Sequence, residues 1–557
     1  MATGGGAAYN LKCAGPQCAG PGGRAGTHPE PARPVERDKG TGPDMRKQVG
    51  IEVAGGEVAG VPQVEEDRKE SARQVERAMP EPGGAPPVDW SGKRVHFIGI
   101  GGYGMSALAR VLLARGAVVS GSDVRPSDRT RWLEACGARV YIGHAAEQVD
   151  GAELVVYNTD VPADNVELVA ARSAGLPVWH RSQVLADLIN HHRGIAVTGT
   201  HGKTTTTAMT GLVLVAGGLD PTVLVGGEVP EFGTVTARLG RGPWLVAEAC
   251  ESDGTFLRYR PEIAVVTNVE PEHLDHYGGD FGRLLEAFAR FLRGVRPGGL
   301  IVACGDHPAV RRLLADLDPA GGQRVIRYGI EAEDCDLRAR DIETAAEYTR
   351  FTVWQGSRPL GEVTLAVPGQ HNVLNALAAL AVGLQLGVSP EQAAGVLAGF
   401  HGAKRRFQVL YDRDGILVVD DYAHHPTEIR ATLRAARQRR RPGGRVIAVF
   451  QPQRYSRTRL LMDEFARAFG DADQVILTEI YAPPGEQPIP GVSSGVLAER
   501  IVAAGGPPVE LIADREELVE RLLATVRPGD LVLTMGAGDI WTVARELARR
   551  LQAVTPA

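Results

Sequence analysis

Long hydrophobic runs are missing from this chain: no apolar stretch approaches the roughly 20 residues that a membrane-spanning helix needs. The first residues also lack the apolar core of a secretion signal. Cysteine is scarce, with 6 scattered residues in 557, which indicates neither a disulfide framework nor a cysteine zinc site. The net charge of -6 gives no reason to expect a nucleic-acid partner. These absences predict a cytoplasmic protein without membrane insertion.

Alternating strands and helices dominate the sequence from residue 93 onward. Apolar segments such as 94–98, 244–247 and 446–450 are separated by helical runs. Continuous apolar strands of this kind are typical of parallel sheets covered on both faces. The length predicts three or four domains at roughly 150 residues each. We therefore predict an α/β fold of three domains. Residues 91–192 form a Rossmann-like N-terminal domain, residues 193–402 a central P-loop domain with a mainly parallel sheet, and residues 403–557 a Rossmann-like C-terminal domain.

Residues 1–90 differ from the rest in composition. They are rich in Gly, Ala and Pro up to residue 60, and a charged run follows at 64–77. Without apolar periodicity, such a segment cannot offset the entropy lost on ordering. We interpret it as a disordered tail or a mis-called start, with Met45 or Met79 as later start sites; a regulatory arm is the less favoured alternative.

The clearest chemical motif is Gly199-Thr-His-Gly-Lys-Thr-Thr-Thr-Thr207, which follows an apolar strand and opens a helix. In such a turn, backbone N–H groups wrap phosphates and the helix N-terminus adds positive potential. Lys203 would reach the transferring phosphate, and the Thr204 hydroxyl would reach Mg²⁺. The turn is shorter than the general P-loop pattern. The predicted ATP-binding residues here are Gly199, Thr200, His201, Gly202, Lys203, Thr204 and Thr205.

Carboxylates follow the strand that ends at residue 247. Glu248 comes directly after it and Glu251 three residues later. Because Mg²⁺ takes oxygen ligands and keeps several waters, one or two carboxylates suffice, and local sequence leaves both open. His273 follows the next strand, where it is either a metal or phosphate ligand or a structural residue.

A second glycine-rich turn, Gly99-Ile-Gly-Gly-Tyr-Gly104, lies between the first strand and the first helix. Asp123 ends the next strand, where a ribose-binding acid would lie. Taken alone, the pattern fits NAD, a UDP-sugar or a turn needed only for packing. The candidate ligand residues are Gly99, Gly101, Gly102 and Asp123.

Further candidates lie at the start of a long helix, at the second domain junction and in the third domain. Asn372 and Asn375 either contact adenine or cap the helix. Arg406 either clamps phosphate oxygens or belongs to a solvated basic corner. Arg454 and Arg457 follow another apolar strand and suit an amino-acid carboxylate, with surface ion pairing as the alternative.

Taken together, these motifs resemble those of the Mur ligase family. The stretches that carry the resemblance occur in the family's order over about residues 92–545: His96-Phe-Ile-Gly-Ile-Gly-Gly-Tyr-Gly-Met-Ser106, Gly199 to Thr207, Glu248-Ala-Cys-Glu-Ser-Asp253, Gly369-Gln-His-Asn372 with Asn375, Arg405-Arg-Phe407, Asp420-Asp-Tyr-Ala-His-His-Pro426 and Arg454-Tyr-Ser-Arg457. The first 90 residues lie outside it.

The resemblance implies an ATP-dependent ligase of peptidoglycan precursor synthesis. The chain most resembles the branch of the family that joins L-alanine to the lactyl carboxylate of UDP-N-acetylmuramate through an acyl phosphate. It implies a UDP-sugar-binding first domain, an ATP-binding central domain and an amino-acid-binding third domain. It also implies Lys203, His273 and Arg406 as catalytic, Thr204, Glu248 and His273 as Mg²⁺ ligands, Asn372, Asn375 and Arg406 as ATP contacts, and Tyr422, Arg454 and Arg457 near the amino acid. We expect a monomer or a weak homodimer.

Four positions depart from the family pattern: Gln453 replaces a His, Cys250 replaces an Asp, and Asn158 and Thr159 replace a pair of Ser residues. Alternatives to the ligase are an NAD-linked oxidoreductase, which leaves Lys203 unexplained, and a nucleotide-dependent switch, which would not need the third domain's His, Tyr and Arg residues. A salvage ligase that attaches a whole peptide is the alternative within the family.

Overall fold

A computed structural model describes residues 86–554 except 234, 318–321, 346 and 484–485. Residues 1–85 of the extension predicted at 1–90, with Met45 and Met79, lie outside the described residues. The last part of the predicted extension is described. The Val88 amide and the Trp90 indole both donate to the Asp187 carboxylate, and Trp90 is buried in the first core. Residues 88–90 therefore pack against the first domain.

The first sheet has five parallel strands in the order β3-β2-β1-β4-β5. Its central strand, β1, is buried at four of five positions, as a strand covered on both faces requires. The Ser127 hydroxyl caps α2. The elements are β1 (Arg94–Ile98), α1 (Tyr103–Ala114), β2 (Val118–Asp123), α2 (Asp128–Ala135), β3 (Arg139–Ile142), β4 (Leu154–Tyr157), α3 (Val166–Ser173), β5 (Val178–His180) and α4 (Arg181–Asn190).

The second sheet has ten strands in the order β15-β14-β13-β12-β11-β10-β6-β9-β7-β8. Its middle is parallel, whereas β8, β14 and β15 pair antiparallel with their neighbours. The elements are β6 (Arg193–Thr198), α5 (Lys203–Ala216), β7 (Thr222–Val229), β8 (Val235–Arg238), β9 (Trp244–Glu248), β10 (Ile263–Val266), α6 (Phe281–Arg293), β11 (Leu300–Cys304), α7 (Pro308–Ala315), β12 (Arg324–Gly329), β13 (Leu337–Thr344), β14 (Thr349–Gln355), β15 (Arg358–Leu365), α8 (Gln370–Gln385) and α9 (Pro390–Ala398).

The third sheet has six strands in the order β16-β17-β21-β18-β19-β20, parallel except for the pair β16–β17. The elements are β16 (Gln408–Arg413), β17 (Ile416–Asp421), α10 (Pro426–Arg439), β18 (Val446–Phe450), α11 (Tyr455–Leu460), α12 (Met462–Ala466), β19 (Gln474–Leu477), α13 (Ser494–Ala503), β20 (Val509–Leu511), α14 (Arg515–Thr525), β21 (Leu531–Met535) and α15 (Trp541–Val554).

The parallel parts of the three sheets are covered by helices on both faces, with separate apolar clusters on the two sides. One cluster continues from the first sheet onto one face of the second, so these two domains share buried apolar surface. The other face of the second sheet packs on α8, where 11 of 16 residues are buried. The predicted α/β fold with three domains is confirmed, and one sheet lies in each of the predicted ranges. Among the described residues, no helix is both long and apolar enough to cross a bilayer.

Candidate active site

A cavity of about 290 Å³ lies where the second domain meets the third. The second domain contributes the turn after β6, the loops after β10 and β11, and the start of α8. The third domain contributes the junction at 402–407 and the first turns of α10. Among its lining residues are His201, Gly202, Thr204, Asn268, Glu270, Asn372, Asn375, Arg406, Asp421 and Glu428. Carboxyl ends of parallel strands from two sheets thus meet at one site, which is the usual ligand position in such folds.

The turn between β6 and α5 has the backbone form of an anion cradle. Gly202 precedes the helix in the left-handed region, with φ 82°. A Cβ on Gly202 would lie 2.6 Å from Asn375 Oδ1, so no larger residue fits without moving that amide. The loop after β10 supports the turn: Asn268 Oδ1 accepts from His201 N at 2.8 Å, and Thr267 Oγ1 donates to His201 O at 2.6 Å. The predicted phosphate-binding turn is therefore held in place by the loop that follows β10.

Half-buried Lys203, in the first turn of α5, forms an ion pair with buried Glu251. Lys203 Nζ lies 2.9 Å from Glu251 Oε2 and donates also to the carbonyl oxygens of Gly199 and Thr200. Burial by itself lowers the pKa of Lys203, but the neighbouring carboxylate outweighs burial, and the pKa is raised. Burial raises the pKa of Glu251 despite this ammonium. Lys203 is thus a cation, with its amino group directed to the turn where a phosphate would lie.

Thr204 and Glu248 lie together next to this pair. Thr204 Oγ1 donates to Glu248 Oε2 at 3.2 Å, and the Gly226 amide donates to the other carboxylate oxygen. A hydroxyl and a carboxylate are hard oxygen donors, so these two residues fit Mg²⁺. Because Glu251 is engaged by Lys203, the geometry favours Glu248 over Glu251 as the ligand. His273 lies in the loop after β10 in a left-handed conformation beside Glu272. Its role as a metal ligand stays a prediction.

The two asparagines at the start of α8 face the turn. Asn375 Nδ2 donates to Asn372 Oδ1 at 3.1 Å, and Asn375 Oδ1 accepts from Thr206 Oγ1 at 3.1 Å. Asn372 Nδ2 donates to Pro368 O at 2.7 Å, which fixes the helix start. Both side chains are buried and both line the cavity. They connect α8 with α5, and an adenine contact stays a prediction for them.

The two arginines at the second junction differ in their surroundings. Arg405 is tied to the third domain, since Nε donates to Asp420 Oδ2 at 3.0 Å and its other nitrogens donate to the carbonyl oxygens of Gly536 and Gly538. Arg406 is more exposed, lines the cavity and lies 3.8 Å from Glu428 Oε1. Arg406 is therefore the arginine that is placed to meet a ligand in the cavity.

The predicted amino-acid residues follow β17 and β18 at the carboxyl edge of the third sheet. Tyr422 is flanked by the Arg405 and Arg406 guanidinium groups at 5.0 and 5.1 Å from its ring centre. Arg457 is buried: Nε donates to Glu272 Oε1 at 2.8 Å, and Nη1 donates to Gln453 Oε1 at 2.6 Å. Gln453 thus holds Arg457.

Arg454 directly precedes α11 with φ 69°, and its amide donates to Tyr481 O at 2.9 Å. The left-handed backbone at this residue is an uncommon conformation for a side chain other than Gly or Asn. Such strain is found most often at ligand-binding positions. The role of Arg454 as an amino-acid contact stays a prediction.

The glycine-rich turn of the first domain is closed by an acid. Asp123 Oδ2 accepts from Gly101 N at 2.9 Å, and a Cβ on Gly101 would lie 2.8 Å from that oxygen. Gly99 has φ 78°, and Gly102 precedes α1. Arg129 Nε donates to Gly101 O at 2.6 Å, and its guanidinium lies 3.1 Å from Glu228 of the second domain. Asp123 therefore supports the turn directly, and the four predicted ligand residues form one unit.

Sequence reasoning missed an ionic cluster that joins the second and third domains. His201 Nε2 lies 3.3 Å from Glu270 Oε2, and His201 Nδ1 lies 3.1 Å from Glu428 Oε1. Burial alone would lower the pKa of His201, but the two carboxylates outweigh it and raise the pKa to about 9. His425 belongs to the same cluster, since ligand atoms of His201, Glu270 and His425 lie within 4.8 Å of one another. The sequence signal that could have revealed this cluster is the position of its carboxylates: Glu270 follows a strand, and Glu428 lies in the first turn of a helix.

Three segments of the chain match Mur ligase families. Residues 94–193 match the Mur ligase family catalytic domain, residues 197–383 the Mur ligase middle domain, and residues 405–538 the Mur ligase glutamate ligase domain. The chain belongs to the Mur ligase family.

Individual proteins of this family are similar to the chain over most of its length. The chain is 56% identical to a UDP-N-acetylmuramate–L-alanine ligase of Symbiobacterium thermophilum over 83% of this chain and 95% of that protein. The crystal structure of a UDP-N-acetylmuramate–alanine ligase of Thermotoga maritima is similar over 83% of this chain and 100% of that one, with a TM-score of 0.71 and 30% identity. A murein peptide ligase of Psychrobacter arcticus covers 84% of this chain and 100% of its own, with a TM-score of 0.62 and 25% identity.

Proposed function

We propose that this chain is an ATP-dependent ligase that joins L-alanine to the lactyl carboxylate of UDP-N-acetylmuramate in peptidoglycan precursor synthesis. The observation that carries the proposal is the cavity in which the P-loop turn of the second domain faces Arg406 and α10 of the third. A nucleotide held there has its phosphates between an anion cradle and the amino-acid domain. This arrangement suits activation of a carboxylate followed by attack of an amine.

In the first step the lactyl carboxylate attacks the γ-phosphorus of ATP, which gives an acyl phosphate and ADP. Lys203 and Arg406 offset charge on the moving phosphoryl group, and the turn amides hold the remaining phosphates. Thr204 and Glu248 would hold Mg²⁺, with His273 as a further candidate ligand, and the ion would neutralise phosphate charge. Because a free carboxylate is a poor acyl donor, this activation makes amide formation favourable.

In the second step the alanine amine attacks the acyl carbon through a tetrahedral intermediate, and phosphate leaves with the oxygen that the carboxylate supplied. Tyr422 and Arg454 orient alanine. Arg457 contributes from the same edge as a buried cation whose Nε and Nη2 contact Glu272 and whose Nη1 donates to Gln453. The buried pair of Arg457 and Glu272 also connects the amino-acid domain to the loop that bears His273. Positioning across the domain junction is therefore the main source of catalysis.

The first domain holds the UDP-sugar. Its glycine turn, stiffened by Asp123, presents the N-terminus of α1 to a diphosphate. We expect Gly99, Gly101 and Gly102 to approach the diphosphate, with Asp123 holding the turn. Arg129 and Glu228 tie this turn to the second domain, so the lactyl group can be delivered toward the P-loop. A cytoplasmic location and a monomer or weak homodimer stay predictions.

Phosphate release with Mg²⁺, ATP, UDP-N-acetylmuramate and each amino acid in turn tests the assignment. We expect release that requires both the sugar nucleotide and L-alanine, because the acyl phosphate forms on one and reacts with the other. Release driven by a whole stem peptide but not by alanine would instead identify a salvage ligase. A nicotinamide absorbance change without ATP use would favour an oxidoreductase, and ATP turnover without an amide product would favour a switch.

A further inference from the structure

His201 lies between two carboxylates that belong to different domains. Its Nε2 faces Glu270 of the second domain at 3.3 Å, and its Nδ1 faces Glu428 of the third at 3.1 Å. Ionised carboxylates only accept hydrogen bonds, whereas a neutral imidazole has one donor. Both contacts can therefore be made at once only by the protonated ring. Since the ring is 13% exposed, this cation is largely shielded from water.

Glu428 is fixed on the side of the third domain. Its second oxygen, Oε2, accepts from the backbone amides of His424 at 3.0 Å and His425 at 3.3 Å. These amides belong to the segment that follows β17 and carries Tyr422. The carboxylate also completes the capping of α10. The position of Glu428 is thus set by the loop predicted to hold the amino acid, while its other oxygen reaches the P-loop.

A neighbouring contact repeats the same connection. Thr427 Oγ1 of α10 donates to Glu270 Oε2 at 2.7 Å, and the Glu270 amide donates to Thr200 Oγ1 at 2.8 Å. The two residues that flank the middle of the P-loop turn, Thr200 and His201, are therefore both linked to α10. A shift of α10 would therefore displace the P-loop turn through its contacts with both residues.

We propose that Glu428 is a positioning residue, which sets the P-loop turn through His201 and so makes the nucleotide site and the amino-acid site form together. The effect on the amino-acid site rests on the proposed ligase function. The effect on the nucleotide site rests on the geometry of the P-loop turn. It follows that nucleotide affinity and alanine affinity are coupled, because each ligand favours the docked arrangement that the other needs.

The test is a double-mutant cycle of Glu428→Gln and His201→Gln. Glutamine at 428 keeps the side-chain shape and the helix cap but removes the charge. Each single variant should weaken binding of a non-hydrolysable ATP analogue with Mg²⁺, measured by calorimetry, by about tenfold. The double variant should be weakened by no more than His201→Gln alone, because the contact between His201 and Glu428 is already lost in each single variant. Arg434→Gln, at an exposed position of α10, is the matched control and should bind as the wild type does.

The same variants are then assayed for alanine-dependent phosphate release. Each single variant should raise the alanine KM by about tenfold, again without a further rise in the double variant. Losses that multiply in the double variant, or wild-type binding by Glu428→Gln, would overturn the proposal. If wild-type protein releases no phosphate with alanine, the ligase function fails, while the binding cycle still tests the connection of Glu428 with the P-loop. Thermal melting of each variant separates misfolding from a lost contact, and His201→Gln alone tests the proposal if Glu428→Gln does not fold.

Discussion

Replacement of Gly202 by alanine tests the geometry of the phosphate cradle, and Gly218 at the other end of α5 offers a matched control. Both glycines are left-handed, with φ 82° and φ 74°. An alanine at either position costs about 1–2 kcal/mol of backbone strain. At Gly218 the added methyl group meets nothing within 4 Å, whereas at Gly202 it would lie 2.6 Å from Asn375 Oδ1. The comparison therefore isolates the steric contact.

The additional cost at Gly202 follows from the hydrogen bonds of Asn375. Its oxygen accepts from Thr206 and its nitrogen donates to Asn372, so displacement leaves buried polar groups unsatisfied. Each such group costs about 1–3 kcal/mol. We expect Gly202→Ala to have a thermal midpoint below that of Gly218→Ala.

The assay is thermal melting with and without ATP and Mg²⁺, together with the ATP KM. Gly202→Ala should lose most of the stabilisation that ATP gives, because the turn that wraps the phosphates has moved, while Gly218→Ala should keep it. Equal midpoints for the two variants, with a wild-type ATP KM for Gly202→Ala, would refute the role of this turn.

Four further outcomes are expected. Lys203→Ala should abolish phosphate release while the protein stays folded, and a Glu251→Gln change in the same chain removes the carboxylate left without its partner; turnover at the wild-type rate would contradict the ATP assignment. Arg454→Ala should raise the alanine KM more than the ATP KM in steady-state assays, and an equal rise in both would place Arg454 outside the amino-acid pocket. Because the pKa of His201 is raised from 6.5 to about 9, the stability that its charge contributes is complete below pH 6.5 and is lost as pH rises through 9. The difference in melting midpoint between wild type and His201→Gln should therefore shrink over that range. A constant difference would show that the charge of His201 is not the source of the stability. Deletion of residues 2–85 should leave kcat/KM unchanged, and an inactive truncation would show that the tail contributes to activity.

Much of the fold follows from patterns that local sequence carries. The strands predicted at 94–98 and 244–247 are observed as β1 and β9, because runs of buried apolar residues between helices have few other interpretations. The strands β13 to β15 were not predicted individually. They alternate charged and apolar residues and pair antiparallel, so only one face is buried, and the helical segments that mark the parallel strands are missing between them.

Sequence alone could predict those site residues that directly follow a strand, but it could not predict their partners. Glu248 and Glu251 are three residues apart after one strand, and sequence does not reveal that one meets Thr204 and the other Lys203. Which partner each takes depends on how the chain turns after β9. Likewise, His201 and Glu428 are 227 residues apart, and their contact exists only because two domains dock. Contacts across a domain junction leave no local pattern.

The most direct test of the central claim follows an oxygen atom. UDP-N-acetylmuramate labelled with ¹⁸O in its lactyl carboxylate is incubated with ATP, Mg²⁺ and L-alanine, and the released phosphate is analysed by mass spectrometry. If ATP activates that carboxylate, one labelled oxygen appears in the phosphate for each amide formed. Amide formation with unlabelled phosphate would contradict activation through an acyl phosphate.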